Sequence, residues 1–252
     1  MSLSPPEWHA RFSLQARWTR SLRQYLYPRA GLEHARRVLD VGCGTGALHE
    51  ELQQGLSLQV HGLDLDPLML AEAARNYPRS IFSLGDAHAL PYADSSFDIV
   101  LCHYLLLWVA NPLQVLSEMR RVTRPGGALL ALAEPDYGGR IDFPPYLDQL
   151  GRLQTRALRR QGAQPEMGRR LSALFTSLEL EAVEVGVLGA QWRGPLLPAE
   201  QESEWAVIRS DLDDILPASQ LRRLRQLDAL TWQSGERVLY VPTFYAWGRA
   251  PK

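Results

Sequence analysis

The sequence has very little cysteine, no long apolar run and almost no net charge. Its two cysteines, Cys43 and Cys102, do not form a C-x-x-C pair, so we expect neither a disulfide framework nor a metal site. No run of about 18 apolar residues is present, and we therefore expect no membrane-spanning segment. The formal net charge is −1 with both signs interspersed, which argues against broad electrostatic binding to nucleic acid.

The composition is instead that of a globular protein. Of the 252 residues, 46% are hydrophobic and 22% are charged, which is sufficient for one sizeable core. The first residues lack the charged region and apolar stretch of a secretion signal. We therefore expect a single domain that works in the reducing cytoplasm.

Short apolar runs alternate with helical segments through the first half of the chain. The predicted strands are Arg37–Val41, 58–63, 80–84, Phe97–Cys102 and 128–133. Asp66 and Asn111 are each followed by proline, which predicts a helix N-cap with proline at the first helical position. Strands that alternate with helices indicate right-handed crossovers and a mostly parallel sheet.

The second half has a different pattern. Helices are predicted over residues 146–160, 168–178, 200–212 and 218–230, and strands over Glu181–Leu188 and 237–247. The two helices between these strands are too long for a plain loop, so they predict a helical cap.

A glycine-rich loop, D-V-G-C-G-T-G at residues 40–46, follows the first predicted strand and opens a helix. One glycine is enough for a tight turn, so three in five residues indicate that a ligand approaches the backbone here. Gly42 and Gly44, with Ala47, also match the dinucleotide fingerprint, and Asp64 follows about 20 residues later. The loop alone therefore leaves open the possibility of a nicotinamide cofactor.

Two features of the loop favour another cofactor. Gly46 adds a G-x-G-x-G spacing, and Asp40 lies two residues before the first glycine. A carboxylate at that position would repel a pyrophosphate, whereas it suits the cationic amino group of a methionine moiety.

Residues 37–135, about two-fifths of the chain, resemble class I S-adenosylmethionine (SAM)-dependent methyltransferases. The resemblance is to the group that includes the ubiquinone and menaquinone C-methyltransferases. The matching pieces are VLDVGCGTG at 38–46, GLDLD at 62–66, GDA at 85–87, FDIV at 97–100 and RPGG at 124–127. The resemblance implies an α/β, Rossmann-like doubly wound fold. Its single seven-stranded sheet would have an antiparallel last strand, with helical cap insertions and SAM as cofactor.

The resemblance also implies roles for single residues. Asp40 would hold the methionine amino group, and the backbone of Gly42, Cys43 and Gly44 would touch the cofactor. Asp64 would accept hydrogen bonds from both ribose hydroxyls.

Further cofactor contacts are implied by the later motifs. Leu65 and Met69 would flank the adenine, Asp86 would accept from its amino group, and the Ala87 backbone would meet the ring edge. His103 would face the sulfonium or the acceptor. Ordinary core packing for Met69, a turn role for Asp86 and a structural role for His103 remain open.

Methyl transfer from a sulfonium needs mainly proximity and alignment, so no residue is assigned as catalytic. A general base helps only where the acceptor must lose a proton. The candidates by position after strands are His103, Glu134, Asp136 and Tyr137.

The acceptor is narrowed by motifs that are missing. Methyltransferases that act on the amino groups of nucleobases carry an Asn/Asp-Pro-Pro-Tyr/Phe motif after the fourth strand. At that position this sequence has L-C-H-Y, residues 101–104. Related arsenite enzymes need more cysteines than two. We therefore expect a small organic acceptor, with Tyr146, Trp192 and Trp205 as candidate apolar walls.

The resulting layout is a lid at 1–35, a cofactor half at 36–135 and an acceptor half with a cap at 136–252. The helix predicted over 8–27 lies outside the alternating core and should be a movable lid, although a permanently packed helix is the alternative. Two other functions remain open: a nicotinamide-dependent oxidoreductase, and a SAM-binding protein without transfer activity.

Overall fold

The computed structural model describes residues 3–54, 57–189 and 198–252, and a seven-stranded sheet is its centre. The strands are β1 (Arg37–Val41), β2 (Gln59–Asp64), β3 (Ile81–Leu84), β4 (Phe97–Cys102), β5 (Thr123–Pro135), β7 (Glu181–Leu188) and β9 (Thr243–Arg249). Their order is β3-β2-β1-β4-β5-β9-β7, and β9 is antiparallel to both neighbours. The predicted fold and its antiparallel last strand are confirmed.

The strands are apolar on both faces because helices cover both. Leu39 and Val41 of β1 pack in one core, and Val38 packs in the other. Every residue of β4 is buried. Continuous burial of this kind is typical of parallel strands between two helical layers.

Nine α-helices lie within the described ranges. They are α1 (Pro5–Trp18), α2 (Arg20–Ala30), α3 (His49–Gln53), α4 (Pro67–Asn76), α5 (Pro112–Val122), α6 (Asp148–Arg160), α7 (Leu171–Thr176), α8 (Pro198–Leu212) and α9 (Ala218–Ser234). Both predicted N-caps are confirmed, since Asp66 accepts the amide of Leu68 at 2.8 Å and Asn111 accepts that of Gln114 at 3.2 Å. No helix in these ranges is long and apolar enough to cross a bilayer.

The prediction of one continuous helix over residues 8–27 is wrong, because the helix is interrupted at Thr19. The carbonyl of Ala16 is bound by side chains, the Thr19 hydroxyl at 3.2 Å and Nη2 of Arg23 at 2.8 Å. Thr19 itself has φ −103° and ψ 7°, outside helical values. α1 and α2 are therefore separate segments joined at one residue.

A second, two-stranded sheet was not predicted. β6 (Ile141–Phe143) pairs antiparallel with β8 (Val238–Tyr240). The strand predicted over 237–247 is thus divided between two sheets, and Pro242 lies in the gap. Proline lacks an amide hydrogen, so it cannot donate to a continuous ladder. The expectation of a single sheet was wrong.

The predicted helical cap is present and has its own apolar core. Residues of α6, α8 and α9 pack around the buried Trp205. The Trp205 indole donates to Asp228 at 2.8 Å, which satisfies its only polar group. The cap is therefore packed as a unit over one end of the sheet.

Candidate cofactor and acceptor site

A cavity of about 750 Å³ opens at the carboxyl ends of the parallel strands. One side consists of residues at the ends of β1, β2 and β4, and the other of residues from α1, α6 and α8. Ligands bind at this edge in open α/β sheets, because the strand order reverses there.

Seven of the ten predicted cofactor residues line this cavity. They are Asp40, Gly42, Cys43, Gly44, Asp64, Met69 and His103. The other three do not line it. Leu65 is 70% exposed, Ala87 is buried in the core, and Asp86 accepts the backbone amide of His88 at 2.9 Å and meets its ring at 2.7 Å. The adenine contacts of these three remain predictions.

The glycine loop has the backbone that its sequence requires. Gly42 and Gly44 have φ of 70° and 52°, values that favour glycine. A Cβ on Gly42 would lie 2.6 Å from the Leu105 side chain. The amides of Gly42 and Cys43 both donate to the carbonyl of Leu63, at 2.7 and 3.0 Å, which fixes the loop to β2.

The carboxylate of Asp64 lies beside this loop. Its Oδ2 accepts the amide of Gly44 at 2.7 Å, and its Oδ1 accepts that of Asp66 at 2.9 Å. Asp64 thus joins the glycine loop to the turn after β2 and faces the cavity. Asp66 faces the first turn of α4 and does not line the cavity.

Asp40 is buried at the floor of the cavity. Burial raises the pKa of its carboxyl, and the neighbouring His49 ring, 3.5 Å away, opposes that shift. A bound ammonium group would favour the ionised form, because an opposite charge within a few ångströms offsets desolvation.

α1 covers the glycine loop. A ring nitrogen of His9 shares a hydrogen bond with the Thr45 hydroxyl at 2.9 Å. The Phe12 ring lies 3.1 Å from the position of a Cβ on Gly44. The lid segment therefore reaches the cofactor side of the cavity, and its movement remains a prediction.

His103 and Tyr137, two of the four candidate bases, line the cavity. Burial lowers the pKa of His103 to about 3, with a smaller contribution from the Arg23 charge, so its imidazole is neutral near pH 7. Its Nε2 shares a hydrogen bond with the Thr19 hydroxyl at 2.9 Å. Burial raises the pKa of Tyr137 to about 12, so that phenol keeps its proton.

The other two candidates are structural. Glu134 accepts the amides of residues 105–107 at 3.0, 2.8 and 3.1 Å, and it braces the loop after β4. Burial raises the pKa of Glu134 to about 8 against these bonds. Asp136 pairs with Arg169 at 2.5 Å. Neither carboxyl lines the cavity.

The acceptor side is more polar than the sequence suggested. Trp205 is in the cap core, Tyr146 is half exposed away from the cavity, and Trp192 lies outside the described residues. The first two are not the expected walls. The cap instead contributes Arg140, Glu204 and other polar groups, which no local pattern could identify.

Comparison with known proteins assigns one part of the chain to a family. The methyltransferase domain family matches residues 39–131. This range begins within β1, contains the glycine loop and β2 to β4, and ends within β5. Residues 39–131 form a class I methyltransferase domain. SAM is the cofactor of this family, and the predicted cofactor is confirmed over the nicotinamide alternative.

Two relatives share this half of the chain. A demethylmenaquinone methyltransferase of Renibacterium salmoninarum is 40% identical over 122 residues, which are 48% of this chain and 51% of that protein. A malonyl-(acyl-carrier protein) O-methyltransferase of Erwinia pyrifoliae is 42% identical over 104 residues, 39% of each chain. The chain thus spans about half of one relative's length and about two-fifths of the other's, so the likeness concerns the cofactor half.

A solved structure extends the likeness to the whole fold. The cyclase SpnF superimposes with a TM-score of 0.63 at 22% identity, over 92% of this chain and 81% of that one. The second half of this chain therefore has the same general architecture as the corresponding part of SpnF. Function is not carried by this likeness, because one fold supports different chemistries.

Proposed function

We propose that this protein transfers the methyl group of SAM to a small organic acceptor. The observation that carries the proposal is the continuity of one cavity. It is lined at one end by Asp40, Asp64 and the glycine loop, and at the other by Tyr137 and Glu204 of the second half. Cofactor and acceptor would therefore meet inside the protein.

The cofactor lies along the carboxyl ends of β1 and β2 in this proposal. Asp40 pairs with the methionine ammonium, and Asp64 accepts the ribose hydroxyls. Met69 and Leu65 flank the adenine, while Asp86 and the Ala87 backbone meet its polar edge. His103 faces the sulfonium end.

Bound SAM would supply a methyl group on a good sulfur leaving group, and in-line attack by the acceptor would release S-adenosylhomocysteine. The contribution of this chain is to align the two ligands and to exclude water under α1. His103 is neutral, and with its pKa lowered to about 3 it is too weak a base to remove a proton from the acceptor near pH 7. The phenol of Tyr137 lines the cavity and keeps its proton, so it donates a hydrogen bond to the acceptor.

The acceptor half is 136–252, and the cap over the cavity selects the acceptor. The lid is 1–35 and the cofactor half is 36–135. The names of the two relatives are those of a quinone-directed and a carboxyl-directed methyltransferase, so acceptors in this family differ while the cofactor half persists. We place the protein in a reducing cytoplasm, where Cys43 and Cys102 stay free as in the structure.

Transfer is tested with methyl-labelled SAM and a small-molecule cell extract. The wild-type protein should move label into an extractable product, and Asp66→Ala should do the same. Asp64→Ala should lose most of this activity at limiting SAM. Binding of S-adenosylhomocysteine without any labelled product would instead support a SAM-binding protein without transfer activity.

A further inference from the structure

Arg11 of α1 has a buried guanidinium with unmade hydrogen bonds inside the cavity. Its side chain is 7% exposed, and it lines the acceptor end of the cavity. Nη2 donates to Glu204 of α8 at 2.8 Å, whereas Nε and Nη1 are buried without a hydrogen-bond partner. Buried donors of this kind are costly, because they have lost water and gained nothing in exchange.

Arg11 is exceptional among the described residues that line the cavity. Of those residues, it alone carries a buried side-chain N–H group without a partner. Arg140, the other arginine on the wall, donates from all three of its nitrogens to Asp142 and Gln154. The buried side-chain N–H groups that lack a partner among these residues therefore belong to one side chain.

The Arg11 guanidinium is held in place by its neighbours. The Trp18 ring centroid lies 5.0 Å from its central carbon, close enough for a cation–π contact. The ion pair with Glu204 fixes the other side. A guanidinium fixed in this way loses little conformational freedom when a ligand binds to it.

Positive charges lie close to the carboxyl of Glu204. Burial would raise the pKa of the Glu204 carboxyl, yet Arg11 and Arg140 outweigh burial and lower it. Glu204 is thus ionised and already neutralises one positive charge. Arg140 is paired in turn with Asp142, so what this cluster leaves for a ligand is the unpartnered N–H groups of Arg11.

We propose that Arg11 binds a carboxylate of the methyl acceptor through its free Nη1 donor. This inference rests on the proposed function and names the substrate class. Charge-assisted hydrogen bonds from guanidinium to carboxylate are the strong ones in proteins. Arg11 lies on the lid segment, so an acceptor that fills this site also holds α1 against the cap.

The geometry separates Arg11 from the cofactor. The neighbouring Phe12 lies against the glycine loop, whereas Arg11 pairs with α8 of the cap. Consecutive residues of a helix point about 100° apart, so one helix serves both ends of the cavity. Arg11 should therefore contribute to acceptor binding and not to cofactor affinity.

The test is a calorimetric titration of the protein saturated with S-adenosylhomocysteine. The probes are acetate, benzoate and 2-naphthoate, each compared with its uncharged amide. For the wild type, at least one carboxylate should bind about tenfold more tightly than its amide. This comparison uses only the wild-type protein, so it does not depend on whether a variant folds.

Two variants assign the preference to Arg11. In Arg11→Met the carboxylate should lose its advantage over the amide, while S-adenosylhomocysteine affinity changes by less than about threefold. Arg17→Met removes an exposed arginine from the same helix and should keep the advantage. Arg11→Lys keeps the positive charge and should retain part of the carboxylate's advantage over the amide. This variant replaces Arg11→Met if the methionine variant does not fold.

The contradicting results are distinct. Equal binding of every carboxylate and its amide to the wild type overturns the proposal, as does an advantage that persists in both Arg11→Met and Arg11→Lys. A loss of S-adenosylhomocysteine affinity above about tenfold in Arg11→Met assigns the residue to the cofactor and also overturns it. If S-adenosylhomocysteine does not bind the wild type at all, the proposed function fails first.

Discussion

The backbone amide of Asp66 donates to the carboxylate of Asp64 at 2.9 Å, so two acids that are two residues apart face different partners. Asp64 also accepts the amide of Gly44 and lines the cavity. Asp66 caps α4 through the amide of Leu68. This division of roles predicts opposite consequences for the two alanine substitutions.

Asp64→Ala should weaken S-adenosylhomocysteine binding by about 2–3 kcal/mol, or roughly 30- to 150-fold, because two charge-assisted bonds to the ribose are lost. Asp66→Ala should lower the free energy of unfolding by about 1 kcal/mol, the usual cost of a lost N-cap, with little change in affinity. Calorimetry and denaturant melts of both variants separate the roles. A loss of affinity in Asp66→Ala alone would show that the ribose acid is misassigned.

Gly42→Ala should weaken ligand binding by more than a loss of folding stability would explain. The new Cβ would lie 2.6 Å from Leu105, a cavity residue, so that side chain must move into the site. We expect S-adenosylhomocysteine affinity to fall by about tenfold or more.

Gly31→Ala is the matched control for this change. Gly31 has φ +83°, similar to the +70° of Gly42, but its Cβ would meet nothing within 4 Å. It should cost about 1–2 kcal/mol of stability through backbone strain and leave affinity unchanged. Equal loss of affinity in both variants would contradict a specific role for Gly42.

The lid predicts a change in hydrogen exchange over residues 5–18. Thr45 and Gly44, which α1 contacts, belong to the loop that would hold the cofactor. Binding of S-adenosylhomocysteine should slow exchange in α1, while α9, far along the chain in the cap, serves as the internal control. Unchanged protection of α1 would mean that the helix is packed permanently and is not a lid.

His103 predicts a loss of stability in acid. Its pKa is lowered to about 3 by burial, so the unfolded chain takes up the proton first as the pH falls below about 6.5. Stability from this group is complete above that pH and is lost on acidification towards pH 3. His103→Gln should therefore lose about 2 kcal/mol less than the wild type between pH 7 and pH 5.

The control for this measurement is His34→Gln, since the His34 side chain is 83% exposed. Its stability should follow the wild type over the same pH range. If denaturant melts of His103→Gln also follow the wild type, the imidazole is protonated in the folded protein and is not the neutral group described here.

Local sequence signals predicted the elements that local chemistry controls. The Asp66 and Asn111 caps with their following prolines begin α4 and α5 where expected, and β4 has the predicted bounds. The glycine spacing likewise predicted the loop, because positive φ is a property of single residues.

Features that depend on distant contacts were not predictable in this way. Arg11 and Glu204 are 193 residues apart, and nothing near either one indicates the ion pair. The same holds for the contact of Thr19 with His103. The split between β8 and β9 had a local signal in Pro242, which argues against one continuous strand.

The most direct test of the central claim is a calorimetric titration of the wild-type protein with S-adenosylhomocysteine and, separately, with NAD. The cavity described here predicts saturable 1:1 binding of S-adenosylhomocysteine and no detectable heat of binding with NAD. Binding of NAD without binding of S-adenosylhomocysteine would contradict the cofactor assignment and every proposal that depends on it.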